Sequence, residues 1–193
     1  MQISWKHDDT HLAGQPTLDR KIDVFEARMW GWQLHVAELI INGGQDHDGK
    51  GRIEPLPHAA FAALQVALVY FEAIAKYETG YTGEESRKYF IDGLLSVFPK
   101  VATLPYKATE RFLNSLYEGA RCGLYHMSMT APGIALARTG QALSFSDVPP
   151  TIVIDPHVLI PELKIHFGQY IARLRDPAES TLRRNFAKCF EHA

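Results

Sequence analysis

The sequence predicts an all-α fold, a helical bundle with one small β-hairpin insertion. Three observations carry that prediction. Apolar residues recur at spacings of three and four through most of the chain, helix-starting and helix-stopping residues punctuate those stretches, and only the region after Pro132 changes to a two-residue alternation. The chain has 193 residues, 46% of them hydrophobic and 22% charged. It carries no low-complexity tract and no repeat period, which fits a single domain over residues 1–193 with a full core.

The first helix is expected from Leu18 to Ile41, where Ile22, Phe25, Met29, Trp32, Val36, Leu39 and Ile40 form one apolar face. Gly43-Gly44 stops it, and the polar, glycine-rich stretch Gln45 to Arg52 reads as an exposed connection. A second, deeply buried helix runs from His58 to Tyr77 on Phe61, Leu64, Leu68, Phe71, Ile74 and Tyr77. Thr82-Gly-Glu-Glu85 has the form of a capping box, so a third helix should follow to about Val97. Pro99 and Pro105 bracket the next connection, and a fourth helix extends from about Lys107 to near Met129, with Leu113, Leu116, Ala120, Leu124 and Met127 as its buried stripe. Ile134, Leu136, Leu143 and Phe145 alternate around Thr139-Gly140-Gln141, predicting a small hairpin, and Thr151 to Ile154 adds a short strand. Asp155-Pro156 caps and opens a helix to about Leu174, bent in its first turns by Pro161, and Asp176-Pro177-Ala-Glu179 starts a last one.

Composition excludes several function classes. Twenty Lys and Arg against 22 Asp and Glu give a net charge of −2, too balanced for a protein that coats nucleic acid by releasing counterions. Two cysteines, Cys122 and Cys189, are too few for a disulfide framework or a thiolate zinc site, which points to a reducing cytoplasm. The amino terminus has no apolar stretch of signal-peptide type, and the run Ala59 to Phe71 falls short of the roughly 20 residues that cross a bilayer, so no membrane partner is expected.

The stretch Tyr117-Glu-Gly-Ala-Arg121-Cys-Gly-Leu-Tyr-His126 carries the chemistry. Arginine is a permanent, forked cation suited to phosphate oxygens, and histidine exchanges protons near neutrality. RNA cleavage needs one group to take the 2′-hydroxyl proton, another to protonate the leaving 5′-oxygen, and a cation to balance the charged transition state. On an ideal helix the two residues diverge by about 140°. Arg121 then lies near Tyr117 and Leu124, while His126 lies among Ser115, Gly119, Cys122 and Gly123, a face small enough for another backbone, of this chain or a second copy, to approach. A helix ending near Met129 puts His126 in the last turn, at the end of the dipole that suits a cation. Tyr125 can donate to a phosphate or pack as a ring, and Glu118 can orient a cation or remain a solvated carboxylate.

Arg121-Cys-Gly-Leu-Tyr-His126 resembles the Arg-x4–6-His motif of the HEPN superfamily (higher eukaryotes and prokaryotes nucleotide-binding), and the helical order from about residue 18 to 130 resembles it loosely. The segments Ile154-Asp-Pro to Leu174-Arg-Asp-Pro177 also look like the closing part of stand-alone members. The resemblance implies a HEPN-like bundle of four main helices plus carboxy-terminal helices, and a metal-independent endoribonuclease that needs no cofactor and leaves a 2′,3′-cyclic phosphate. It implies an active site at a homodimer interface through the motif helix, with Arg121 holding phosphate and His126 acting as acid and base. Tyr125, Cys122 and Glu118 are the candidate substrate-binding residues, RNA is the substrate, and an antitoxin is a further partner. Cys122 departs from the polar residue, commonly asparagine, that often follows the arginine, and as a weak hydrogen-bonding group it favours the alternative of a non-catalytic module that binds nucleotides or a protein.

Other features carry less. Asp46-His47-Asp48-Gly49 lacks the later ligands and closing glutamate of a calcium loop. Glu72-x3-Lys76 can reach the cleft or pair within its own helix. The basic residues Arg173, Arg175, Arg183, Arg184 and Lys188 can guide RNA or form a solvated face.

Overall fold

One apolar helix organises the chain. In the computed structural model, which describes residues 1–103, 106–147 and 149–192, helix α3 (Ala60–Thr79) buries Ala63, Leu64, Ala67, Leu68, Tyr70, Phe71, Ile74 and Ala75 among its neighbours. It continues past the apolar run to Thr79, so among the described residues it is the one helix long and apolar enough to cross a membrane by length and composition. It packs in the core against the helices before and after it. Gly80 closes it in a left-handed conformation (φ 69°) that an L side chain avoids. The fold as a whole is mostly helical with little strand.

The expected first helix is present but changes register. Thr17 caps α1 (Leu18–Arg28), a π-helical turn follows at Met29–Leu34, and α2 (His35–Asn42) resumes the ordinary helix. A π turn admits an extra residue, which rotates every later side chain around the axis. The buried positions therefore pass from Ile22, Phe25 and Met29 to Leu34, Ala37 and Ile41, while Trp32, predicted to lie inside, is 48% exposed. The chain's first residues fold back over this turn. Arg28 Nε donates to the Ile3 carbonyl at 2.7 Å, and the Trp5 indole occupies the notch at Gly31, where an added Cβ would stand 1.8 Å from Trp5 Cδ1.

The glycine-rich connection after α2 forms a two-residue ladder, β1 (Gly44–Gln45) against β2 (Arg52–Ile53), rather than an open loop. Its turn is stitched by Asp46 and Asp48, which both accept from Lys50 N at 3.1 Å. Helix α4 (Ser86–Val97) starts one residue beyond the predicted box and is not capped by Thr82 or Glu85. Gly93 brings it against α3: an added Cβ there would lie 1.9 Å from the Phe71 carbonyl oxygen. A polar chain ties α3, α4 and the later α7 together, from Tyr70 OH to His166 Nδ1 (2.7 Å), from His166 Nε2 to Ser96 Oγ (3.3 Å), and from Ser96 Oγ to Glu78 (3.1 Å).

A short 3-10 turn at Pro99–Thr103 leads on, and Pro105 lies outside the described residues. The motif helix follows as α5 (Tyr106–Ser115), a second π turn at Leu116–Cys122, and α6 (Gly123–Met127). Leu113, Leu116, Ala120 and Leu124 are buried as expected, whereas Met127 is 72% exposed. Beyond it, β3 (Ile134–Leu136), β4 (Leu143–Asp147) and β5 (Pro150–Ile154) form one sheet in the order β3-β5-β4. The predicted β3–β4 hairpin is thus corrected: β4 and β5 are the antiparallel pair, and β3 lies parallel to β5 on its far side. The cause is Asp155, almost fully buried, whose carboxylate accepts from Thr139 N (2.7 Å) and Gly140 N (3.0 Å) and so pulls the connecting loop across the end of β5. The same carboxylate accepts from His157 N (3.1 Å) and caps α7 (Pro156–Arg175), which runs through Pro161, before α8 (Ser180–Phe190) completes the bundle.

Candidate functional site

Arg121 lies at the end of the second π turn, with its side chain turned towards α3. The first acidic residue after Glu54 is Glu72, and it is the partner: Arg121 Nε donates to Glu72 Oε1 at 2.5 Å, with the two side chains 19% and 16% exposed. Burial disfavours the cation, yet the hydrogen bond and the charge of Glu72 hold the guanidinium protonated beyond its ordinary value. Glu72 Oε2 accepts from Ser86 Oγ (2.7 Å) at the start of α4, so both carboxylate oxygens are engaged. Among the described residues the terminal nitrogens of Arg121 have no hydrogen-bond partner, so the fork that suits an anion is left open.

The guanidinium carbon lies 5.2 Å from the centre of the Tyr125 ring and 6.0 Å from that of Tyr117. Tyr125 is 64% exposed, and its ring meets the His126 imidazole edge to face at 5.0 Å. The structure thus brings Arg121, Tyr125 and His126 into one contiguous run, in which the tyrosine ring neighbours both the cation and the imidazole. His126 is exposed in the last turn of α6, which ends at Ser128 in a left-handed conformation (φ 55°). Among the described residues it makes no hydrogen bond and no direct contact with Arg121.

The other candidates are placed differently. Glu118 stays near solvent, 4.0 Å from Arg87, and lines a separate cavity of about 270 Å³ between the motif helix and the sheet, away from Arg121. Cys122 is half-buried with a free thiol. The small face of the motif helix, offered to another backbone, is filled by this chain: Ala131 N donates to the Gly119 carbonyl (2.9 Å), and an added Cβ on Gly123 would lie 2.6 Å from the Met129 carbonyl oxygen. That stripe is therefore closed to a second copy.

The residue that sequence reasoning left undecided is Glu72. It pairs with Arg121, and no ion pair joins it to Lys76 among the described residues. The signal was present, since a lone carboxylate ending a long uncharged helical run needs a cation from another element. Glu72 and Lys76 line a cavity of about 360 Å³ with Gln33, Tyr77 and Thr82, and the Lys76 ammonium lies 5.4 Å from the Tyr89 ring centre. Gln33 comes from the first π turn, and its Oε1 is buried without a partner among the described residues.

In the loop at residues 46–48, Asp46 and Asp48 hold a backbone N–H, and among the described residues no three His, Cys, Asp or Glu side chains gather as a metal site. Arg173, Arg175 and Arg183 are engaged by Glu179, by Asp23 and Glu26, and by Asp19 and the Leu174 carbonyl, respectively. No protein-family model, no curated protein and no solved structure matches this chain.

Proposed function

We propose that the protein is a metal-independent endoribonuclease of HEPN type, with Arg121 as the phosphate-holding cation and His126 as the acid and base. The observation that carries this reading is the run Glu72–Arg121–Tyr125–His126, in which Glu72 holds the guanidinium through Nε and the Tyr125 ring neighbours both that guanidinium and the exposed imidazole. The 2′-oxygen attacks phosphorus as its proton leaves, the bond to the 5′-oxygen breaks as that oxygen takes up a proton, and Arg121 stabilises the charge built up between. Tyr125 offers a ring for a base to stack on.

A single histidine cannot take one proton and deliver the other at the same instant, so the reading includes a homodimer. The exposed side chains of Tyr125, Met127 and Met129 around His126 supply an apolar surface for it, at the end of the motif helix instead of along its small face. A π turn inside the motif helix also supports a site there, since such wide turns recur at functional positions. The proposed setting is cytoplasmic, in toxin–antitoxin or phage-defence biology. The second reading, a non-catalytic HEPN-like binding module, is favoured by Cys122 and by the engagement of Arg121 by Glu72.

Purified protein incubated with labelled RNA in EDTA separates the readings. Cyclic-phosphate products that vanish in His126→Ala support the enzyme. No cleavage at any protein concentration supports the binding module, and cleavage that chelation abolishes points to a metal-dependent hydrolase.

A further inference from the structure

A cleft of about 400 Å³ opens where the amino-terminal segment folds back over α1, within the range of small-molecule sites at about 300–1,000 Å³. Its aromatic walls come from two distant places, Trp5 on that segment and Trp30 on the first π turn, with Ala27 between them. The position of Trp5 depends on Gly31, whose missing side chain is the notch that seats it.

The charges around the rings are divided by element. Asp23 and Glu26 project from α1 and share one guanidinium, Arg175 of α7, at 2.7 and 2.6 Å, so one of the two negative charges is balanced and both carboxylates keep lone pairs for further N–H donors. Lys6 and His7 enter from the amino-terminal segment. Lys6 has no carboxylate partner among the described residues, and His7 stacks on His11 at 4.1 Å. His11 Nε2 is buried 3.7 Å from Asp23, too far for a hydrogen bond. A cationic ligand would meet Arg175 and Lys6, and a purely apolar one would leave these groups desolvated without partners.

We propose that this cleft binds a small planar aromatic anion, a flat ring bearing a phosphate or carboxylate and at least one ring or amino N–H. The ring packs against the cleft sides of Trp5 and Trp30, the second of which also carries the Lys164 ammonium 4.3 Å from its ring centre, the anion is held by Lys6 and His7, and the N–H donors face Asp23 and Glu26. This site is independent of Arg121 and His126. Burial and the neighbouring charges of His11 and Lys6 hold the His7 imidazole below its ordinary value while Asp23 and Asp8 work against them, so a bound anion that restores the imidazolium makes binding tighten as pH falls through the histidine range.

Isothermal titration calorimetry on the full chain tests the proposal with two probes, adenosine monophosphate for the phosphate form and 4-aminobenzoate for the carboxylate form. Saturable binding of either is expected, weakened about tenfold in Lys6→Gln, the size of one charge-assisted contact. Whichever probe binds more tightly identifies the anion. Adenosine and inorganic phosphate, each half of the first probe, should bind more weakly than the whole. Lys6 is exposed and bears no packing role, so its substitution leaves the fold intact. No saturable heat with either probe overturns the proposal, as does equal affinity in Lys6→Gln, or inorganic phosphate binding as well as the aromatic anions do.

Discussion

The bond between Glu72 and Arg121 joins α3 to the motif helix, and a double-mutant cycle measures what it contributes. Deleting one member of a fully buried ion pair costs about 3–5 kcal/mol, whereas an exposed pair is worth about 0–1 kcal/mol. These side chains keep 19% and 16% of their exposure, so Glu72→Ala is expected to cost about 2–3 kcal/mol, nearer the buried limit. Arg121→Ala should cost about 3 kcal/mol, because it also removes the stem packed on Tyr117 and Tyr125. Glu72→Gln keeps volume and an acceptor for Ser86 but loses the charge, and should fall at about half the alanine cost. The double variant should recover about 1–2 kcal/mol relative to the sum of the single changes. Urea unfolding followed by tryptophan fluorescence supplies all four free energies, provided the slope with denaturant stays constant. A coupling energy under about 0.5 kcal/mol would refute the argument, since it would mean that water, and not Glu72, satisfies the guanidinium.

Two further outcomes test the packing and the electrostatics. Gly93→Ala forces a methyl into the Phe71 carbonyl oxygen and should lower stability by at least about 2–3 kcal/mol in thermal unfolding, while Gly168→Ala on α7, where an added Cβ meets nothing within 4 Å, should be neutral or stabilising by about 0.5–1 kcal/mol. Burial works against the Asp155 charge, but the N–H groups of Gly140, Thr139 and His157 outweigh it and hold the carboxyl below its ordinary 3.8. A depressed carboxyl contributes stability above its unfolded value, and that contribution is lost as pH falls through the folded value. Asp155→Asn should therefore cost about 2–3 kcal/mol at neutral pH and flatten the acid limb of a stability profile measured by urea midpoints. An unchanged acid limb would contradict the assignment.

Periodicity alone was enough to locate the helices around Phe25, Leu64, Leu124 and Phe167, because which side of a helix is apolar is written in residues three and four apart. The breaks at Gly43 and Asp155-Pro156 were legible for the same reason, since caps and positive φ are local matters. The Arg121–His126 motif was legible as residues, and so was its position near a helix end.

What local pattern could not reveal is which distant group each side chain meets. Trp32 and Met127 read as core because the ideal helical period was carried through their helices, yet Trp32 lies within a π turn and Met127 follows one, and the wider turn shifts the register, a change accompanied at the first turn by a partner far along the chain, Trp5 seated at Gly31. Glu72 had a cation four residues away in its own helix, but the packing of α3 beside the motif helix assigned it to Arg121. The sheet order depended on a buried carboxylate reaching back to Thr139 and Gly140, and the glycine stripe was closed by residues 129–134 of the same chain. Sequence determined the amphipathic elements and their ends; only the tertiary structure decided partners, because a buried polar or small group takes its role from what surrounds it in space.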